Sequence, residues 1–463
     1  MMTLKQAKHW LGAGKLFGDE YLSINRVNTD TRFLSPGDLF IAIKGEHFDG
    51  NDFLVHAKTV GATAAIVNCG LESAGLAGIE VADTKYALGR IAAGWREQFT
   101  LPLVAVTGSN GKTTVTQMLA SIFNAYKSEA SLATVGNLNN DIGVPLTLLR
   151  LTGKHEIGVV ELGMNHPGEI AYLANIAKPT IALVNNAQRE HLEFMSTIEA
   201  VAHENGAVLS ALPLDGIAIF PADDEYATVW QKLSASRPTM TFSMQGNATV
   251  RCTSAVWRNG QWHVITETPM GPIEYSLCIA GRHNVKNSLA ALACSLAAGV
   301  PPISIVKGLQ DFRPVAGRSN AHTMCLSNRE IILIDDTYNA NPDSVRAAID
   351  VLAELDSPRL LVLGDMGEVG EHGVQFHAEV GEYAMSKNIE KLFSIGSLAQ
   401  ESSKHFPMSR HFESMEVLLT AVVAELPQIN SILVKGSRFM KMEQVVRVIM
   451  NEAKSSMEQI HAA

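Results

Sequence analysis

The sequence predicts an α/β protein of three domains. Three observations carry that expectation. The chain has 463 residues, and domains run to roughly 150 residues each. Short apolar runs alternate with helix-length segments, the pattern of strands buried on both faces of a parallel sheet. Proline- and glycine-bearing stretches interrupt the alternation where one block gives way to the next.

Residues 1–100 form the first block. A short helical start leads into the turn-rich stretch NTDTRFLSPGDLFIAIKGEHFDGNDF, and GATAAIVN then reads as a small-residue strand. LPLVAVTGSNGKT opens the second block, 101–313. There LVAVT, IGVVEL, TIALVNN and GIAIF read as buried strands between helical segments. DFRPVAGRSN marks the next boundary. From 314 to 463, EIILIDDTYNANPDSVRAAIDVLAEL, RLLVLGDMGEVG, KLFSIGS and SILVKGSRFMKMEQVVRVI repeat strand, loop and helix as a smaller α/β unit. In such sheets ligands sit at the carboxyl ends of the strands, where the unusual polar residues of this chain fall.

Composition narrows the function. Apolar residues make up 46% and charged ones 18%, enough for several cores, and the formal net charge is −10. A protein that coats nucleic acid is normally basic, so no nucleic-acid partner is expected. Local lysines and backbone amides can still hold a polyanionic small molecule. The five cysteines are scattered and include no C-x-x-C pair, which fits neither a disulfide framework nor a zinc site. The N-terminus has no long apolar segment and no apolar run approaches ~18 residues. The expectation is a cytoplasmic protein with no membrane span, and a monomer.

The chemistry centres on VAVTGSNGKTTV. The common phosphate-loop pattern G-x-x-x-x-G-K-[ST] requires a glycine where Val106 stands. Val106 reads instead as the end of a buried strand, leaving a shorter loop. Gly108 and Gly111 let successive N–H groups point at phosphate oxygens, and the following helix adds its positive dipole end. Lys112 can reach the terminal phosphates, and Thr113 can offer its hydroxyl to Mg²⁺. The bland alternative is an ordinary turn with a solvated lysine; strand, glycines, Lys-Thr and helix in succession favour the phosphate site. Glu161 ends the strand in GVVELGMNHPGEI, and His191 follows the strand in VNNAQREHLEFM. Each alone reads as a surface acid or a structural histidine; together, at converging strand ends, they read as metal ligands. Gly281, Arg282, His283 and Asn284 precede a small-residue helix, where they either cap it or read a base edge.

TGSNGKTT, NLNNDIG, VVELGMNHPGEI, NNAQREHLEF, GRHNVKNSLAA, FRPVAGR and DDTYNANPDS together resemble the Mur ligase family, ATP-dependent amide-forming enzymes of peptidoglycan synthesis. The motifs run in the family's order over most of the chain. The resemblance implies an N-terminal UDP-substrate-binding domain, a central P-loop ATPase-like domain and a C-terminal Rossmann-like domain. Within the family, DDTYNANPDS, LGDMGEVG and KGSRFMKME resemble the member that joins D-alanyl-D-alanine to UDP-N-acetylmuramoyl-tripeptide, and the DNPR-type motif of the diaminopimelate-adding member is missing. The resemblance assigns the ATP phosphates to Gly108, Ser109, Asn110, Gly111, Lys112, Thr113 and Thr114. It assigns adenine to Asn284, ribose to Asp336, the γ-phosphate to Arg318 reaching in from the C-terminal block, and a second Mg²⁺ to Glu161 and His191. Thr31, Arg32, Asp49 and Gly50 become candidates for the UDP end. Asn137, Asn140, Asn339, Asn341, Lys435, Ser437 and Arg438 become candidates for the peptide substrates, with Asn341 also a plausible helix N-cap.

One segment departs from the family. Many members carry a carbamylated lysine in V-A-x-x-K-G-E, whereas VAHENGAV places Asn205 at the lysine and Ala207 at the glutamate. The expectation is that Asn205 or Glu204 supports the metal shell instead. Other readings are another amino-acid ligase, including a folylpolyglutamate synthase, a nucleotide-driven switch or motor, and a dinucleotide oxidoreductase. The third-block motifs argue against the first, the UDP-like segments against the second, and the lack of G-x-G-x-x-G against the third.

Overall fold

The computed structural model describes residues 1–45, 48–326 and 329–462, with side chains as far as 454. His47, which opens the HFDGNDF stretch, lies outside the described residues. Three larger sheets follow one another along the chain. The first is five-stranded, in the order Lys15–Phe17, Gly78–Glu80, Ala64–Val67, Asp38–Ile41, Arg26–Asn28. Its strands are parallel except the edge strand Lys15–Phe17.

The second sheet has nine strands. Leu103–Thr107 lies between Ile157–Glu161 and Ile181–Val184, parallel to both. The chain leaves Leu103–Thr107 for the Ser131–Ala133 edge, returns beside it, and then crosses to its other flank. That reversal is a topological switch point, where side chains and loops splay apart at the strand ends and leave a crevice. The apolar runs LVAVT, IGVVE and IALV are wholly buried, because helices cover both faces. On the far side Val250–Arg258, Gln261–Thr268 and Gly271–Leu277 form an antiparallel ribbon with alternating burial. The sequence reading had no element for this ribbon. Its inward residues Trp262, Val264, Ile273, Tyr275 and Leu277 join the core beneath the Arg282–Ala297 helix.

The third sheet has six strands, with Ser431–Lys435 between Arg329–Asp336 and Arg359–Gly364. All pair in parallel except the edge strand Asn320–Leu326. Asn341 caps the Pro342–Ala353 helix by accepting from the Ser344 N–H, with Pro342 at the first helical position.

The apolar cores are unevenly shared. One cluster runs from Leu4, Ile24, Leu39 and Ile66, through Leu88 and Ile91 of the Thr84–Arg96 helix, to Leu103, Leu173 and Trp230 of the central block. The first sheet and one face of the second are therefore packed as one body. The third sheet has two clusters that include Ile334, Ile349, Leu363 and Val434. From the central block only Ala280 and the half-buried Leu192 join the first of these. Among the described residues no helix is long and apolar enough to cross a membrane.

Candidate active site

A cavity of about 1440 Å³ opens where the strand ends of the second and third sheets face one another. The phosphate loop forms part of its wall. Gly108 has φ +132°, and a Cβ there would lie 3.0 Å from the Asn185 and Asn186 backbone nitrogens. At Gly111, φ +82°, it would lie 2.5 Å from the Asn287 side-chain oxygen. Both positions need glycine for conformation and for space. The Lys112–Lys127 helix starts directly after Gly111, with Val115, Leu119 and Ile122 buried along one face and Tyr126 half-buried at its end.

The segment 185–191, after the neighbouring strand, braces the loop. Asn110 N donates to Asn186 Oδ1 at 2.8 Å, Gln188 N donates to Ser109 Oγ at 2.9 Å, and Asn185 Nδ2 donates to the Asn110 carbonyl at 2.8 Å. Sequence reasoning passed over Asn185, Asn186 and Gln188, although NNAQ stood inside a quoted motif. Lys112 Nζ meets the Gly108 carbonyl at 2.6 Å, the Ser109 carbonyl at 3.2 Å and Glu190 Oε1 at 2.6 Å.

Glu161 is 1% exposed. Its Oε1 accepts from Thr113 Oγ1 at 3.1 Å and from Asn139 Nδ2 at 2.7 Å, while its buried Oε2 has no partner. The pairing of Thr113 with Glu161 is not a sequence expectation, which gives the two residues to different magnesium ions. Nor is Asn139 an expected partner: Asn137 and Asn140 line the cavity, and the asparagine between them is the one that holds the carboxylate. Period-two or helical patterning could not distinguish three amides in an irregular loop.

His191 sits at φ +51°, ahead of a short helical turn. Its Nδ1 lies 2.6 Å from Glu368 Oε2 and its Nε2 3.5 Å from Glu190 Oε1. Burial opposes its charge, but the two carboxylates outweigh it and hold its pKa up at about 9. Holding a metal requires the neutral ring, so a bound cation and these carboxylates act on the histidine in opposite directions.

Asn284 is buried at the cavity wall, donating to the Ala280 carbonyl at 2.7 Å and accepting from Asn287 Nδ2 at 2.9 Å. Beside it, burial pushes the His283 pKa down. Arg318 stacks on Tyr338, 4.0 Å from the ring centroid, and lines the cavity. Asp336 accepts from Ser319 N at 2.9 Å and pairs with Lys435, whose ammonium also meets the Asn339 carbonyl. Two residues expected to touch different ligands are thus each other's counter-ion. Ser437 is 2% exposed and accepts from the Gly367 N–H at 2.6 Å, bracing that loop, while Arg438 stands exposed at the rim.

Asn205 and Glu204 lie elsewhere. Asn205 is fully buried; it accepts from Thr107 Oγ1 at 2.6 Å and donates to the Val201 carbonyl of its own helix. Glu204 accepts from the Gly168 and Ile170 N–H groups at 2.9 Å. The expectation of a metal-supporting role is corrected, since neither lines the cavity among the described residues. Asn205 steadies the strand end that precedes the loop, and Glu204 caps a helix, as buried or half-buried polar groups with complete local partners do.

Thr31, Arg32, Asp49 and Gly50 belong to the first block and are also absent from the described lining. Arg32 pairs with Asp30, and Asp49 accepts from Asn51 N at 3.0 Å. Gly50 is buried, and a Cβ there would lie 2.7 Å from the Ala42 backbone.

The second and third blocks meet through ions. Arg189 NH2 reaches Asp343 at 2.6 Å and Arg189 NH1 reaches Glu379 at 2.7 Å, with Phe376 beneath the guanidinium. Asn341 Nδ2 donates to Asn110 Oδ1 at 2.9 Å, tying the cap of a third-block helix to the phosphate loop. Truncating a desolvated, paired arginine costs about 2 kcal/mol or more. Arg189→Ala is therefore expected to lower the ratio of closed to open forms about thirtyfold. Small-angle scattering should show a larger radius of gyration, with kcat/KM reduced in proportion; an unchanged radius would remove Arg189 from closure.

Family models match in the same order as the sheets. They are the Mur ligase family, catalytic domain, over residues 23–96, the Mur ligase middle domain over 106–295, and the Mur ligase, glutamate ligase domain over 323–438. The chain is 40% identical to UDP-N-acetylmuramoyl-tripeptide–D-alanyl-D-alanine ligase of Escherichia coli, over 97% of this chain and 98% of that one. A crystal structure of MurF from Acinetobacter baumannii superposes with a TM-score of 0.90 at 33% identity, covering 97% of this chain and 98% of that one. MurF of Thermotoga maritima in complex with ADP superposes at 0.82 with 25% identity, covering 95% of this chain and all of that one. With these matches and the loop geometry above, the chain belongs to the Mur ligase family.

Proposed function

We propose that this protein is an ATP-dependent ligase that joins D-alanyl-D-alanine to UDP-N-acetylmuramoyl-tripeptide, giving ADP and phosphate. The observation that carries the reading is the glycine-shaped loop with Lys112, facing Asp336, Asn339 and Lys435 across one cavity. The whole-length likeness to D-alanyl-D-alanine ligases supports the substrate pair. We also propose three domains, 1–100, 101–313 and 314–463.

A carboxylate is a poor acyl donor because its charge is delocalised and oxide is a poor leaving group. In the proposed reaction a substrate carboxylate oxygen attacks the γ-phosphorus and ADP leaves. The amine then attacks the acyl phosphate carbon, phosphate leaves, and the amine proton is released. The protein positions groups and neutralises charge. Loop amides and Lys112, once released from their protein partners, would meet the phosphates, and Arg318, freed from Tyr338, would add a third-block charge. Asn284 and Asp336, which line the same cavity, would hold adenine and ribose. Ions between the blocks keep the crevice closed against water.

Magnesium fits the donors present. Glu161 offers a buried oxygen without a partner beside the Thr113 hydroxyl. Among the described residues no three His, Cys, Asp or Glu side chains form a closed cage. Magnesium on phosphates needs only one or two carboxylates and hard oxygen donors. When bound, it would neutralise phosphate charge. His191 fits as a ligand only once deprotonated.

Phosphate release with both substrates present, then with each omitted, tests the reading. Release should require ATP, the UDP-linked tripeptide and D-alanyl-D-alanine together; release indifferent to both omissions would sink it. Single amino acids in place of the dipeptide should support little turnover.

A further inference from the structure

The ammonium that should meet the nucleotide is already fully used. Its three donors have three partners: two loop carbonyls and the Glu190 carboxylate. Glu190 is 9% exposed, and its second oxygen is buried with no hydrogen-bond partner. A buried ion pair is weak evidence for stability, and a half-satisfied carboxylate weaker still, because desolvation of the free oxygen is uncompensated. The residue is nevertheless held in place. Its N–H donates to the Gln188 carbonyl, and the same short segment braces the phosphate loop through Asn186 and Gln188. Glu190 lines the cavity together with Thr113 and Glu161, whose own second oxygen is also buried and unpartnered.

Glu161 and Glu190 thus line one cavity, and each keeps a buried oxygen without a partner, a cost that a cation reaching both would relieve. A nucleotide brings such a cation and competes for Lys112. We propose that Glu190 has two positions: counter-ion of Lys112 while the loop is empty, and ligand of the nucleotide's divalent cation, with Glu161, once phosphate has taken the ammonium. No covalent bond changes; one anion replaces another on Lys112, and the displaced carboxylate is re-neutralised by the metal. Nucleotide and metal would then bind cooperatively through this one side chain.

The inference rests on the nucleotide reading of the loop, and the two fail differently. ADP affinity is measured calorimetrically with EDTA and with Mg²⁺, in the unmodified protein, Glu190→Gln and Glu190→Ala. The unmodified protein should bind ADP more tightly with metal. In Glu190→Gln the EDTA affinity should rise, and the ratio of the two affinities should shrink on the order of tenfold. A ratio unchanged in both variants overturns the proposal while leaving the nucleotide site intact; no ADP binding by the unmodified protein overturns both. An arm that leaves Glu190 in place uses Lys112→Met without nucleotide, followed by Mn²⁺ paramagnetic resonance. Mn²⁺ should bind several-fold more tightly than in the unmodified protein, and Lys112→Met/Glu190→Gln should lose that gain. No gain in Lys112→Met would also overturn it.

Discussion

Lys112→Ala is expected to cut turnover by on the order of 10³-fold, while affinity for the UDP-linked substrate changes less than about twofold. The lysine begins the helix after Gly111 and is the one loop side chain whose charge can follow the phosphoryl group. The candidate UDP-end residues Thr31, Arg32, Asp49 and Gly50 belong to another sheet and do not line the cavity among the described residues. Steady-state rates separate the two effects: kcat falls and KM for the UDP-linked substrate holds. The substitution also strips Glu190 of its ammonium, leaving His191 as its nearest cation. Some loss of stability is therefore expected, about 1–3 kcal/mol. Lys112→Ala/Glu190→Gln should recover that stability in urea unfolding without recovering turnover. Equal losses of kcat and substrate affinity would place Lys112 in general binding instead.

Glu161→Gln has the second-largest expected effect, a fall in kcat of on the order of 10²–10³-fold. The amide oxygen can still accept from Thr113 and Asn139, so the side chain keeps its place. What changes is the other atom. The buried, unpartnered Oε2 becomes an NH₂ donor facing the position proposed for a cation. The Mg²⁺ concentration for half-maximal rate should rise steeply. Stability should hold or increase by about 1 kcal/mol, because a buried carboxylate oxygen without a partner is replaced by an amide. Rates against Mg²⁺ concentration and urea unfolding check both halves. A variant that keeps its Mg²⁺ dependence and loses about 2 kcal/mol would make Glu161 a structural residue.

How much of this was legible in the sequence depended on range. The runs LVAVT, IGVVE and IALV announced buried parallel strands, since every residue in them except Glu161 at a strand end is apolar or small enough for a double-covered sheet. The glycines flanking Ser109 and Asn110 announced the loop, because their φ values admit little else. The antiparallel ribbon was passed over, although Trp262, Val264 and Thr266 bury every second residue in it. The metal-side expectation for Asn205 failed for a different reason. A motif position names a place in a family, whereas partners depend on the side chain, and an asparagine is short enough to be satisfied by Thr107 and its own helix. Arg189 and Glu190 stood inside the quoted NNAQREHLEF, but nothing local named their partners. Their partners Asp343, Glu379 and Lys112 are distant in sequence, and only folding brings the charges together.

The apolar cluster that runs from the first block into the central sheet has a consequence for which substrates fit. Because helix Thr84–Arg96 is shared by both, the first block cannot slide relative to the phosphate loop without exposing a continuous core. If Thr31, Arg32, Asp49 and Gly50 hold the UDP end as proposed, their distance from the phosphate loop is then a fixed gauge length. On that reading a stem peptide of the wrong length would be rejected by rigid masonry alone, and UDP-linked substrates shortened by one residue should turn over far more slowly.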